Sequence, residues 1–270
     1  NIGVEVLLLD IAPKEQAADD KGDTIALESK AVRNQIVNTA LATAVKSNPS
    51  PIFSKRALNN ITTGNFEDNM PDIASCDWVI EVVVEKLEIK KLIYDQVEKY
   101  RKPGTLITSN TSGIPIHLMA EGRSDDFKAY FCGSHFFNPP RYLRLLEIIP
   151  TPDTKPEVVD FLMHYGDKFL GKTTVLCKDT PAFIANRVGV YSMMSLLHLV
   201  NTMDLTVEEV DKYTGPALGR PKSATFRTTD IVGLDTMINV AGGLHTNVPK
   251  DKAHKLFELP DYVKKMQENK

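Results

Sequence analysis

The sequence predicts a mostly parallel α/β layer followed by an all-α part. Two observations carry this expectation. Up to about residue 180, short apolar runs alternate with segments of helical period, the order that a parallel sheet with crossover helices requires. Beyond that point every periodic segment is helical. The division expected is therefore 1–180 and 181–270. Composition permits it: apolar residues make up 42% and charged residues 25%, and 270 residues can bury a sizeable core.

Residues 4–10, Val-Glu-Val-Leu-Leu-Leu-Asp, read as a buried parallel strand. Gly3 stands where a helix end would feed that strand, so the chain is expected to begin inside a fold. A helix is expected over 27–47, stopped by Asn48-Pro49-Ser50-Pro51. A short strand follows near 60–63, then a strong one over 78–84, Trp-Val-Ile-Glu-Val-Val-Val. Residues 87–100 form an amphipathic helix that ends before Pro103-Gly104. Residues 106–109 are a strand and 116–120 a short helix, with further strands over 130–136 and 143–149. Thr154-Lys155-Pro156-Glu157 has the form of a capping box and opens a helix to about 170; a strand over 173–177 follows. Asp179-Thr180-Pro181 is a helix start with proline in the first turn, predicting a helix over 182–201. Helices over 206–213 (with Thr206 and Glu209 as a capping box), 231–241 and 261–267 complete the chain.

Several function classes are disfavoured. A net charge of −3 supplies no broad positive field for nucleic acid or an anionic membrane. No apolar run approaches the roughly 18 residues of a membrane helix, and no signal-peptide pattern is present. Cys76, Cys132 and Cys177 form no C-x-x-C pair, which argues against a disulfide framework or zinc site and fits a reducing cytoplasm. His117, His164, His198, His245 and His254 lack metal-ligand spacing and read as structural or surface residues, so no metal is expected.

Some residues could carry chemistry. Asp10 ends its strand, where a dinucleotide-binding fold places an acid on the adenosine ribose; a carboxylate there favours NAD over NADP. A solvated turn aspartate is the alternative. The fingerprint G-x-G-x-x-G, expected about 20 residues upstream of such an acid, does not occur in these residues. Glu85 and Lys90 follow a strand end, where open α/β sheets bind ligands, though they also suit a surface helix with Glu/Lys pairs. Ser109-Asn110-Thr111-Ser112-Gly113 is a donor-rich turn or a plain cap. In Gly133-Ser134-His135-Phe136-Phe137-Asn138-Pro139-Pro140 a histidine stands among phenylalanines, and Glu147 interrupts Leu145-Leu146-Glu147-Ile148-Ile149. A core carboxylate without a partner is costly, and an imidazole base needs an orienter. Each residue thus accounts for the other. Asn186 is an ordinary helix residue or one that reaches a ligand.

Taken in order, Ser109-Asn110-Thr111-Ser112, Gly133 to Pro139, Leu146 to Ile149, and Lys178-Asp179-Thr180-Pro181-Ala182-Phe183-Ile184-Ala185-Asn186-Arg187 resemble the L-3-hydroxyacyl-CoA dehydrogenase family. Arg220 to Arg227 and Val232 to Thr236 resemble its long bacterial multifunctional members, in which the dehydrogenase is fused to an enoyl-CoA hydratase module. The resemblance implies a Rossmann-like NAD-binding domain over 1–180, without its first strand and Gly-rich loop, and a helical substrate and dimerisation domain over 181–270, short of its end. It implies an acyl-CoA substrate, NAD as cofactor and a homodimer through the helical domain. By the same resemblance His135 is the base and Glu147 its orienter. Ser112 and Asn186 hold substrate oxygen, and Asp10, Glu85, Lys90, Ser112 and Asn138 line the NAD site. Two other readings stay open: a non-catalytic scaffold of the same fold, as in lens crystallins, and a short hydroxy-acid dehydrogenase of the hydroxyisobutyrate class. That class uses a lysine where this chain has Asn186-Arg187.

Overall fold

Most strands form where the apolar runs lie, Ile61-Thr62-Thr63-Gly64-Asn65 being more polar, and their ladders sort them into two sheets. The computed structural model describes residues 2–14 and 29–268, with only the backbone of Asn201 and Glu268. β1 (Val6–Asp10) and β2 (Ile61–Asn65) pair in parallel as a two-stranded sheet. β3 (Trp78–Glu81), β4 (Leu106–Ser109), β5 (Phe131–Phe136), β6 (Leu145–Pro150) and β7 (Thr173–Leu176) form a second sheet in that order. All of its neighbouring pairs are parallel except β5 and β6, which run antiparallel. These strands belong to one compact unit, residues 1–111 and 116–176; residues 112–115 and 177–270 make a second.

Local chemistry sets where elements stop. The expected buried strand 4–10 is half exposed: Leu7 and Leu9 are partly covered, while Val6 and Leu8 face outward on the alternate positions of the pleat. The single helix expected over 27–47 is two, α1 (Lys30–Arg33) and α2 (Gln35–Lys46); residues 27–28 lie outside the described residues. The break falls at Asn34, whose Oδ1 accepts a hydrogen bond from the buried Asn65 amide at 2.8 Å. β3 ends at Glu81 and not at residue 84, because the Glu81 carboxylate accepts the N–H of Val83 at 2.7 Å and turns the chain. α3 (Leu87–Tyr100), α4 (Ile116–Ala120) and α5 (Asp125–Ala129) follow, and Tyr94 packs edge-on against Phe127 and Phe131. α6 (Pro156–Lys168) has no side-chain cap. The Thr154 hydroxyl, expected to cap it, donates instead to the Phe131 carbonyl at 2.6 Å and ties the turn to β5.

In the second unit every regular element among the described residues is helical. α7 (Ala185–Met203) begins three residues later than Pro181 suggested. Ala182 and Phe183 are buried in the left-handed region, φ 60° and 49°, within a turn closed by the Phe183 N–H on the Thr180 carbonyl. α8 (Val207–Thr214) carries the Thr206–Glu209 capping box that its sequence predicts. The helix expected over 231–241 is cut at Gly233, φ 99°, into α9 (Phe226–Val232) and α10 (Leu234–Asn247). α11 (Asp261–Glu268) closes a core of Met194, Leu197, Val210, Ala241, Leu244 and Phe257.

Two helical glycines give opposite expectations for one substitution. Alanine is favoured over glycine in a helix by about 0.5–1 kcal/mol. At Gly189 nothing lies within 4 Å of an added Cβ, so Gly189→Ala should stabilise by that amount. At Gly166 a Cβ would meet Thr174 Cγ2 at 2.5 Å and Leu146 Cδ2 at 3.0 Å. Gly166→Ala should be net destabilising, within the roughly 1–3 kcal/mol of overpacking. Urea unfolding of the two variants measures both signs.

Candidate active site

Antiparallel pairing places His135 of β5 directly opposite Glu147 of β6. Directly opposed residues point to the same face with Cβ atoms about 5 Å apart. The side chains meet there: His135 Nδ1 is 2.7 Å from Glu147 Oε2. His135 is 3% exposed and Glu147 0%. Beside a carboxylate the near ring nitrogen carries the proton, so Nδ1–H donates and Nε2 is the basic atom. The Phe137 ring lies 4.4 Å from the imidazole, centroid to centroid, and limits its rotation. The arrangement can take up a proton at Nε2 and balance the resulting imidazolium with a carboxylate in a low dielectric.

The neighbouring strand ends hold a second buried charge. Glu81 ends β3 and lies in register with Ser109 of β4. Its carboxylate accepts the Val83 N–H, the Lys90 ammonium at 2.9 and 3.1 Å, the Tyr94 hydroxyl at 2.9 Å and the Ser109 hydroxyl at 2.6 Å. Burial, and then the Glu81 charge, push the Tyr94 phenol well above its ordinary pKa, so it remains a donor. Lys90 also lies 3.3 Å from Glu85, which accepts from the Thr111 hydroxyl at 2.5 Å. One residue on from Ser109, Asn110 donates its N–H to the Glu81 carbonyl, and its Oδ1 accepts the Phe136 N–H at 2.9 Å. The carboxyl ends of β3, β4 and β5 are thus laced together beside His135.

The other residues singled out in the sequence fall as follows. Glu85 is exposed and Lys90 buried, joined as an ion pair. Asp10 ends β1 half-buried, its Oδ1 accepting the Ile11 N–H at 2.8 Å. A carboxylate at a strand end suits ribose hydroxyls, and Asp10 stands at such an end, so its chemistry fits a dinucleotide. Asn138 is exposed in the loop after β5. Ser112 and Asn186 belong to the second unit, where the Asn186 amide donates to the Ser112 carbonyl at 3.5 Å.

Four further residues shape the site without being singled out for it by the sequence. Glu81 interrupts an apolar run just as Glu147 does, and the same signal could have found it. Asn110 stands in the sequence only as part of a polar turn. Lys172 is buried and donates to the carbonyls of Leu143, at 2.7 Å, and Pro140; desolvation lowers its pKa. Arg141 donates to the Ser50 carbonyl at 2.6 Å and stacks on Phe53 at 3.6 Å. No local pattern marks those last two. Among the described residues, no three His, Cys, Asp or Glu side chains are placed to hold a metal, and no helix is long and apolar enough to cross a membrane.

Residues 1–180 match the family model described as 3-hydroxyacyl-CoA dehydrogenase, NAD binding domain, and residues 183–269 the C-terminal domain of the same family. A Bacillus subtilis protein named a probable 3-hydroxyacyl-CoA dehydrogenase is 46% identical over 99% of this chain, which covers 34% of that protein. A Deinococcus radiodurans protein of the same name is 42% identical over 96% of this chain and 70% of its own length. A Rickettsia felis protein, named for a fatty acid oxidation complex trifunctional enzyme, is 38% identical over 100% of this chain and 36% of its length. The chain therefore spans about a third of the length of the Bacillus and Rickettsia relatives. The crystal structure of M. tuberculosis FadB2 superposes with a TM-score of 0.77 at 26% identity, over 99% of this chain and 86% of that one. The (S)-3-hydroxybutyryl-CoA dehydrogenase of Ralstonia eutropha shares the fold, with a TM-score of 0.76 at 24% identity, over 99% and 86% of the two chains. With both domain models matched and relatives above 40% identity along nearly all its length, the chain belongs to the 3-hydroxyacyl-CoA dehydrogenase family.

Proposed function

We propose that this chain oxidises L-3-hydroxyacyl-CoA to 3-ketoacyl-CoA with NAD, in cytoplasmic fatty-acid β-oxidation, with His135 as base and Glu147 as its orienter. The observation that carries the reading is the buried Nδ1–Oε2 pair of 2.7 Å at the carboxyl end of β5. Bound NAD would take the hydride from C3. His135 Nε2 accepts the proton of the 3-hydroxyl, and Glu147 stabilises the imidazolium as it forms. Burial of the pair keeps water from competing for that proton. Ser112 and Asn186 are proposed to hold substrate oxygen, and Asp10, Glu85, Lys90, Ser112 and Asn138 to line the cofactor. Membership in a family with multifunctional relatives supports a neighbouring hydratase module as part of the same proposal.

Three measurements on the full-length protein test this reading. Glu147→Gln keeps the shape of the side chain and its hydrogen bond but cannot balance the imidazolium. It should lower kcat far more than it raises KM for a 3-hydroxyacyl-CoA. His135→Gln should cost at least as much, on the order of 10²–10⁴-fold, and the double variant little more. Near-native kcat in a folded Glu147→Gln protein would reduce Glu147 to a structural residue.

Cofactor choice is expected to favour NAD, because the Asp10 carboxylate would repel a 2′-phosphate. The ratio of kcat/KM for NAD to that for NADP should fall in Asp10→Asn. Equal use of both cofactors by the wild type removes Asp10 from the ribose site. Pairing through the helical unit is also proposed, on the outward apolar side chains of Val188, Leu199 and Met203 along α7. Light scattering at micromolar concentration should give a dimer mass; a monomer counts against it.

A further inference from the structure

We propose that Glu81 is a positioning residue for the cofactor: its buried carboxylate closes a ring of side chains that sets Lys90, Glu85 and the turn after β4 in place before a dinucleotide arrives. The ring can be followed atom by atom. Glu81 holds Lys90 at 2.9 Å, and Lys90 holds Glu85 at 3.3 Å. Glu85 accepts from the Thr111 hydroxyl at 2.5 Å. The Thr111 N–H reaches Ser109 Oγ at 3.3 Å, and Ser109 Oγ–H returns to Glu81 at 2.6 Å. Tyr94 donates to the same carboxylate from within the core.

Exposure divides the labour. Glu81 is 3% exposed and the Lys90 side chain 1%, whereas the Glu85 side chain is 44% exposed. Glu81 therefore acts through other residues and Glu85 is the member that meets solvent. Stability alone is a poor account of this ring, since a buried ion pair is often no more stabilising than apolar side chains of the same volume. What the ring supplies is geometry. Two β-strand ends and the first turn of α3 are fixed relative to one another by charged and hydroxyl groups whose hydrogen bonds are directional. The ring lies at the carboxyl edge of the sheet, where ligands of open α/β folds bind. It joins the His135 strand through Asn110, which takes the Glu81 carbonyl on one side and the Phe136 N–H on the other.

The proposal rests on the NAD-dependent reading above, and the test separates the two. Glu81→Gln, Glu81→Asp and Ser109→Ala are compared with the wild type in the full-length protein. NADH fluorescence titration, thermal midpoint, and KM for NAD and for a 3-hydroxyacyl-CoA are read for each. Glu81→Gln turns an amide N–H₂ or an uncharged oxygen toward Lys90. Its Kd for NADH and KM for NAD should rise by about 10–100-fold, the size of loss seen when the groups that orient the ligands of a metal site are removed. kcat at saturating NAD and KM for the acyl-CoA should stay near wild type. Glu81→Asp keeps the charge and should recover part of the loss; Ser109→Ala should show a smaller version of the same split. A folded Glu81→Gln protein that binds NADH as the wild type does, with only its thermal midpoint lowered, overturns the proposal and leaves NAD dependence intact. Should Glu81→Gln fail to fold, wild-type NADH affinity in both Glu81→Asp and Ser109→Ala overturns it equally. A wild type that binds no NADH brings down this proposal and the reading beneath it together.

Discussion

The constraint on which the site depends is that a carboxylate cannot be left alone in a strand core. Twice in the five-stranded sheet an apolar run is broken by a glutamate, and each time the fold is arranged around the charge. Glu147 is answered by His135 on the adjoining strand. Glu81 is answered by a lysine, a tyrosine, a serine and a backbone N–H. An unpaired buried charge costs far more than one mispacked methyl group. The pairings therefore restrict which registers the strands can adopt. A one-residue slip of β6 against β5 would turn Glu147 to the opposite face from His135.

This explains why the sheet and its chemistry cannot be separated in the first unit. The reversal between β5 and β6 is the one antiparallel step in an otherwise parallel sheet, and it sets the His135–Glu147 pair face to face. A parallel crossover would have needed a dozen or more residues, whereas only eight, residues 137–144, separate Phe136 from Leu145, too few for a helix-bearing return. The short connection, residues 137–144, is itself held by Lys172 and Arg141.

Much of the fold was legible because strands and long helices advertise themselves by period. β4, α3 and α4 have the bounds expected of them, and the Thr206–Glu209 box is formed. What was illegible depends on partners distant in sequence. The break at Asn34 is made by Asn65, thirty-one residues away. Thr154 ignores its own helix for a carbonyl on β5. The turn at Ala182 and Phe183 requires left-handed backbone that neither residue type favours. The His135–Glu147 pair was readable because both are ionisable groups in apolar runs. Glu81 carries the same mark, but the apolar run continuing through Val84 hides the fact that it stands at a strand end. Its role is set by Ser109 and Lys90, which no local window joins to it.

The clamp on the connection between β5 and β6 has a consequence for how this region can vary. The Lys172 ammonium grips the carbonyls of Pro140 and Leu143, and Arg141 grips that of Ser50. Main-chain oxygens are the same whatever residue carries them. Positions 140 and 143 can therefore exchange side chains over generations without loosening the hold, so long as the backbone path is kept. The evolutionary burden shifts to the gripping side chains, leaving positions 140 and 143 free to vary while the loop stays fixed in shape.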